Sequence, residues 1–333
     1  MTGIRPVALT LGDPSGVGPE LALAAWRELA GTLPFFLIGD IAALAGPAAA
    51  AGVDLVAIAD PAAAAAAGAG GLPVLHHPLP AAAVPGAPDP TNAAAVIEII
   101  ARAVDLVRGG AAAALCTSPI NKKALKDGAD FPFPGHTEFL AHLAGGAQPV
   151  MLLAAPGLRV VPVTIHIPLA EVPQALTAEL LERTIRITEA GLRSDFGLAR
   201  PRLAVAGLNP HAGEGGAMGR EELELIVPVL AKLRAEGLAV EGPRSADTLF
   251  HPRARAGYDV AICMYHDQAL IPVKTVDFDG GVNVTLGLDF VRTSPDHGTA
   301  YDIAGQGLAS PASLVAALRM AADLGATRAG ARP

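Results

Sequence analysis

The chain has 333 residues, and 51% of them are apolar. That length exceeds one typical small core and that apolar share supplies a sizeable one, so disorder is excluded as the default and two domains or one large α/β unit are expected. Against 32 acidic side chains stand 24 basic ones, a formal charge of −8 with no Lys/Arg cluster, which excludes sequence-independent nucleic-acid binding.

In chain order, short apolar runs recur. PVALTL (6–11), FFLIG (35–39), DLVAIA (54–59), AAALCT (112–117), VMLLAA (150–155), VVPVTIH (160–166), RLAVAGL (202–208) and DVAICMY (259–265) are predicted strands. Their near-continuous apolarity suits strands covered on both faces. Helical patterns fall at 18–31, 92–108, 137–144, 178–195, 220–236 and 311–325. The alternation predicts an α/β fold with a largely parallel sheet. AAAAAAGAGG (62–71) reads as a weak helix running into a loop, and the Pro-rich 77–92 as an extended connector. A domain boundary is expected near one of these, unless one domain is built from both chain ends.

No run reaches the ~18 apolar residues of a membrane span. MTGIRPVALTLGDPSG lacks the long apolar segment of a signal peptide. Cys116 and Cys263 each sit in an apolar run with no CxxC, as buried reduced thiols do. A cytoplasmic location is expected.

The chemistry concentrates after the strands. His166 ends VTIH, His211 follows RLAVAGL, and His266 follows AICMY. In open α/β sheets ligands bind beyond the carboxyl ends of strands. Three neutral imidazoles there make a candidate set for a divalent metal with one position left open. Each alone is more often an ordinary hydrogen-bonding histidine, and no HExxH is present. The glycines of NPHAGEGGAMGREE (209–222) allow close approach of backbone to a ligand, with a helix starting near Gly219 and Glu221 and Glu222 in its first turn. PFPGHTEFLAHL (132–143) sets His136 and Thr137 at a helix start, which suits a phosphate, although Thr137 could equally be an N-cap.

Lys274, Asn283 and Arg292 are further polar candidates; Lys and Arg make charge-assisted bonds to phosphate, though each alone is more often a solvated charge. Asp247, Asp267 and Lys274 are candidate bases for a hydroxyl proton, and either Asp could instead orient a histidine. GDPSGVGPE (12–20) resembles a phosphate-binding turn but is neither GxxxxGK[ST] nor GxGxxG, and no strict GxGxxG occurs anywhere. A nicotinamide, if bound, is therefore not held by an ordinary Rossmann site, and no cofactor-binding residue is assigned.

Taken together, GDPSGVGPE, FPGHTEFLA, VTIHIPL, GLNPHAGEGG, ADTLF, MYHDQ, GVNVTLGLDFVRTSPDHGTA and DIAG resemble the motifs of the 4-hydroxythreonine-4-phosphate dehydrogenases, in family order from residue 12 to residue 305. The resemblance implies a fold similar to isocitrate and isopropylmalate dehydrogenases: residues 1–333 as two interleaved α/β subdomains around a central cleft, non-Rossmann. It implies a homodimer with its active site near the interface, acting on a small phosphorylated substrate. It implies NAD or NADP, and one divalent metal per subunit (zinc, magnesium or cobalt). The reaction implied is oxidation of 4-phosphohydroxy-L-threonine, whose 3-oxo acid product decarboxylates to 3-amino-2-oxopropyl phosphate, on the route to pyridoxal phosphate. Carried over by motif, His166, His211 and His266 look like metal ligands. His136, Thr137, Lys274, Asn283 and Arg292 look like substrate contacts.

This chain departs from the more usual family pattern at Asp289, in ALIPVKTVDFDG (269–280) and in CTSPINKKAL (116–125). Close relatives act on phosphorylated threonate- or erythronate-like acids and on cyclic dihydrodiols, so those substrates stay open. A metal-dependent hydrolase or lyase without a nicotinamide is a more distant alternative, and a non-catalytic binding protein a remote one.

Overall fold

A computed structural model describes residues 5–330. The chain divides into two compact units: Met1–Pro149 with Leu288–Pro333, and Val150–Gly287. The divisions fall at neither of the two surface connectors. In chain order the strands among the described residues are β1 Val7–Thr10, β2 Phe35–Gly39, β3 Leu55–Ile58, β4 Leu72–His76, β5 Leu115–Thr117, β6 Val150–Ala155, β7 Leu158–Pro162, β8 Leu203–Ala206, β9 Val240–Arg244, β10 Val260–Cys263, β11 Val282–Leu286 and β12 Arg292–Pro295.

In the first unit the strands lie in the order β3-β4-β2-β1-β5-β12, every pair parallel. β1 and β2 are buried along their whole length, as the apolar runs require of strands covered on both sides. The helix Ala93–Arg108 packs one apolar face, including Val96, Ile99, Ile100 and Ala103, onto Ala8, Phe36, Ile38 and Leu115. Fully burying side chains of this size contributes roughly 1.5–3 kcal/mol each.

The second unit orders its strands β11-β6-β7-β10-β8-β9. The pairs β11–β6 and β6–β7 are antiparallel, joined in the latter case by a tight turn at Pro156–Gly157; β7–β10, β10–β8 and β8–β9 are parallel. The sheet of this unit is thus mixed, with a parallel half whose four strands all point the same way.

All eight predicted strands and six predicted helical segments form. The two surface connectors also take the expected shape: a one-turn helix Ala64–Ala67 stands in 62–71, and 77–92 is loop until a short turn at Pro90–Asn92. Four strands and several helices lie beyond the prediction. The helix Ile41–Ala51 contains Gly46 and Pro47, yet Asp40 caps its start by accepting from Ala42 N at 2.8 Å and Gly52 ends it at φ +65°. β9 contains Gly242 and Pro243, tolerated because it stands at the end of its unit's strand order with β8 as its strand partner.

Cys116 on β5 and Cys263 on β10 are buried free thiols. Burial pushes the Cys116 thiol up to about 12 and raises that of Cys263 as well. Among the described residues no helix is long and apolar enough to cross a membrane.

Candidate functional site

The strand order of the second unit decides where its histidines stand. His166 follows β7, His266 follows β10 and His211 follows β8, and these three are adjacent parallel strands in the order β7-β10-β8. Asp247 follows β9, the next strand along. Four polar groups scattered from residue 166 to residue 266 therefore leave the same end of one sheet, with strands about 4.7–4.9 Å apart.

Local backbone sets each side chain. His166 and His211 both hold left-handed φ, +55° and +51°, values unusual for residues other than glycine. After His211 the left-handed run continues through Ala212, Gly213, Glu214 and Gly215. The buried carboxylate of Glu222 holds this loop, accepting from Asn209 N at 2.8 Å and from Asn209 Nδ2 at 3.0 Å. A Cβ on Gly213 would stand 2.6 Å from Glu222 Oε2, so glycine is required there by space as well as by φ. Glu222 opens one turn of π-helix at Glu222–Ile226 in place of a plain α-helical start.

The rings of His166 and His266 stand 5.6 Å apart, centre to centre. Two imidazoles on one tetrahedral ion, with nitrogens about 2.0–2.1 Å from it, put their ring centres roughly 5 Å apart, so the pair is within reach of a shared cation. His266 Nδ1 lies 2.7 Å from Asp267 Oδ1. A carboxylate only accepts, so Nδ1 carries the hydrogen and Nε2 keeps its lone pair for a ligand. The contact is of the kind the orienting alternative for Asp267 requires.

His211 is close enough to Asp247 to act on it electrostatically. That carboxyl is held below its usual range, first by the Ser245 hydroxyl donating at 2.6 Å and to a smaller degree by the charge of His211. The donor set fits a divalent ion in chemistry and in its place on the sheet. It is not a ready-made cage: among the described residues no three His, Cys, Asp or Glu side chains are gathered closely enough to hold an ion together. Lys274 and Asn283 belong to the same unit. Lys274 is half-buried near the end of the helix His266–Val276, its Nζ 5.1 Å from the Phe278 ring centre, and Asn283 is on β11 opposite Leu153. A cavity of about 300 Å³ opens beside His166, Tyr265, His266 and Asp267.

The first unit carries a separate cationic site. Arg292 opens β12 and is 3% exposed. Its Nε and Nη2 donate to Thr117 Oγ1 at the end of β5, at 3.1 and 2.7 Å. Burial lowers this guanidinium to about 10. His136 begins the helix His136–Leu143, whose N-cap is Gly135; Thr137 is the second helical residue, so it is not the cap. Burial first, then the charges of Arg292 and Lys122, hold His136 well below its usual range, and its Nε2 is buried without a hydrogen-bond partner. A Cβ on Gly135 would lie 3.0 Å from Lys122 Cε, which places that lysine chain beside the helix start. A desolvated arginine, a lysine and a neutral imidazole at a helix start are groups of the kind that bind phosphate.

Because His136 is neutral when folded and its pKa is lowered, the unfolded chain binds the extra proton as pH falls through about 6.5. The stability tied to this group is complete above that pH and is lost below it. A dianion bound here offsets the two cations, so His136 is expected to take up a proton on phosphate binding near pH 6. Calorimetry in buffers of different ionisation heat, with a His136→Gln control, reads that uptake; none in the parent protein would rule the contact out.

Lys122 and Thr117 enter the site without having been singled out by sequence, and Glu222, noted only as a first-turn residue, turns out to hold the His211 loop. Lys122 and Thr117 lie in CTSPINKKAL, whose departure from the family pattern was itself a signal. Asp289, another departure, is accounted for as a surface group: it pairs with Arg108 at 2.9 Å.

A family model described as pyridoxal phosphate biosynthetic protein PdxA matches residues 32–321. A 4-hydroxythreonine-4-phosphate dehydrogenase of Paracoccus denitrificans is 60% identical over 98% of this chain and 100% of its own length. Among solved structures, a 4-hydroxythreonine-4-phosphate dehydrogenase from Klebsiella pneumoniae is similar with a TM-score of 0.88 at 37% identity, covering 96% of this chain and 99% of that one. A terephthalate 1,2-cis-dihydrodiol dehydrogenase from Burkholderia xenovorans is similar with a TM-score of 0.66 at 32% identity, covering 96% and 98%.

Proposed function

The chain belongs to the PdxA family and is a dehydrogenase acting on CH–OH, and from that membership we propose that it oxidises 4-phosphohydroxy-L-threonine with NAD or NADP. The 3-oxo acid formed has its carbonyl β to the carboxylate and loses carbon dioxide, giving 3-amino-2-oxopropyl phosphate. The reading includes a homodimer and a fold kinship with isocitrate and isopropylmalate dehydrogenases.

The observation that carries the reading is the placement of His166, His266 and His211 at one end of three adjacent parallel strands. These residues would hold a divalent metal, which when bound polarises a hydroxyl or carbonyl oxygen. The chain's own groups do the rest. His136, Thr137 and Arg292 bind the phosphate, and Lys274 and Asn283 contact the remainder of the substrate. Asp247 or Lys274 takes the hydroxyl proton as hydride leaves for the nicotinamide. Asp267 is the third candidate base, and its bond to His266 favours orientation of that ring. An exposed carboxylate held ionised by Ser245 accepts a proton only transiently, which suits relay to water.

The test is a spectrophotometric assay of reduced nicotinamide with purified protein, a divalent metal and 4-phosphohydroxy-L-threonine. A rise abolished by a chelator is expected. A rise only with 4-phosphothreonate or 4-phosphoerythronate moves the protein to a phosphorylated sugar acid, the second reading, which uses the same cationic site. No rise with any substrate and no dinucleotide binding defeats the dehydrogenase chemistry and favours the hydrolase or lyase alternative.

A further inference from the structure

The ladder between β8 and β10 stops at Val205 opposite Ile262. Past that point the strand ends that carry His211 and His266 are no longer held by backbone pairing to each other. One side chain spans the gap. Gln268, buried in the first turn of the helix His266–Val276, accepts from Met264 N at 2.7 Å and donates to Gly207 O at 2.8 Å. The amide orientation is fixed by its partners, since a backbone N–H only donates and a carbonyl only accepts.

Met264 is tied on its other side through its carbonyl. Met264 O accepts from Thr164 N at 3.2 Å and Thr164 Oγ1 at 2.8 Å, two residues before His166. Gly207 N in turn donates to Arg244 O at 2.8 Å, the last residue of β9 and three before Asp247. A lateral chain of hydrogen bonds therefore runs Thr164–Met264–Gln268–Gly207–Arg244 beneath the four polar groups. Gln268 is its one link made by a side chain reaching in both directions.

We propose that Gln268 is a positioning residue that sets the spacing of His211 and His266, and so governs divalent-metal affinity without touching the metal. The proposal rests on the reading of those histidines as ligands. Its chemistry demands an amide of this length. A carboxylate keeps the Met264 bond but sets two acceptors against each other at Gly207 O. An asparagine is one methylene short of bridging both. Partners that orient ligands act on metal affinity by roughly 10–100-fold.

The experiment uses the full-length protein, Gln268→Glu and Gln268→Asn, with cobalt(II) as probe, after circular dichroism has shown each variant folded. Cobalt affinity is read by calorimetry, and ligand geometry by the visible absorption of the bound ion. Both variants are expected to bind cobalt roughly 10–100-fold more weakly, with an altered visible spectrum. A folded variant with the parent affinity and spectrum overturns the proposal. Two variants keep the test open if one fails to fold, and failure of both to fold would also overturn it, by making Gln268 a residue of the fold. His211→Ala run in parallel separates the causes. If it binds cobalt like the parent, the ligand reading itself has failed. If it loses cobalt while the Gln268 variants do not, only the positioning role has failed.

Discussion

His211→Ala is expected to lose its bound divalent metal and to lower kcat/KM by on the order of a thousandfold or more, because polarisation by the metal is worth several kcal/mol and each 1.36 kcal/mol is tenfold in rate. The fold is expected to survive. His211 already sits at φ +51° on an exposed loop, and although histidine tolerates that conformation better than alanine, the adjacent Ala212 already adopts it at φ +52°. The loop is held by Glu222 through Asn209, not by the imidazole. Loss of activity with an unchanged thermal transition therefore separates a ligand from a structural histidine. Elemental analysis of the purified variant and steady-state kinetics check the two halves of the claim. A metal-loaded, active His211→Ala protein would sink the ligand assignment. Ligands of one ion act as a unit, so His166→Ala combined with His211→Ala is expected to be little worse than either alone.

The same histidines show how much of the site was legible in sequence and where legibility ended. An apolar run followed by a histidine marks a strand end, and the three ends were found that way. That they neighbour one another depends on the order β7-β10-β8-β9, which is long-range pairing that no local pattern encodes. Gln268 and Thr164 carry no signal of their own in the sequence, because they bridge strands distant in sequence. Two of the four missed strands share a cause: β12 reads RTSP and β9 reads VEGPR, polar or Pro-bearing strings without apolar alternation, whereas β11, VNVTL, does alternate and was overlooked. β12 is nonetheless buried throughout, since Thr293 donates to Ala317 O at 2.9 Å and Arg292 donates to Thr117. A polar strand that satisfies itself inside the protein is invisible to hydrophobic periodicity, and here it carries a substrate candidate. The helix Lys122–Ala129 was missed because its N-cap, Asn121 accepting from Ala124 N at 3.0 Å, sits beside two lysines in a segment read as a strand end.

Arg292→Met is expected to raise KM for the phosphorylated substrate roughly 10–150-fold, the equivalent of one charged hydrogen bond of about 1.5–3 kcal/mol, while leaving the thermal transition nearly unchanged. The two effects separate because the arginine is costly to the fold and useful to the ligand. Its guanidinium is desolvated, which lowers its pKa to about 10, and replacing a buried charge by an apolar side chain of similar volume is often neutral or stabilising. Losing both donors leaves the buried Thr117 Oγ1 short of a partner, a cost of about 1–3 kcal/mol that relief of the desolvated charge offsets. Removing the charge also removes one of the causes that hold His136 low, so the titration of His136 in nuclear magnetic resonance spectra is expected to move back toward the ordinary histidine range. Inorganic phosphate supplies the comparison: it is expected to inhibit the parent protein competitively and the variant much more weakly. If KM for the phosphorylated substrate and inhibition by phosphate are both unchanged in Arg292→Met, the cationic site of the first unit does not hold the phosphate, and the buried arginine serves the fold.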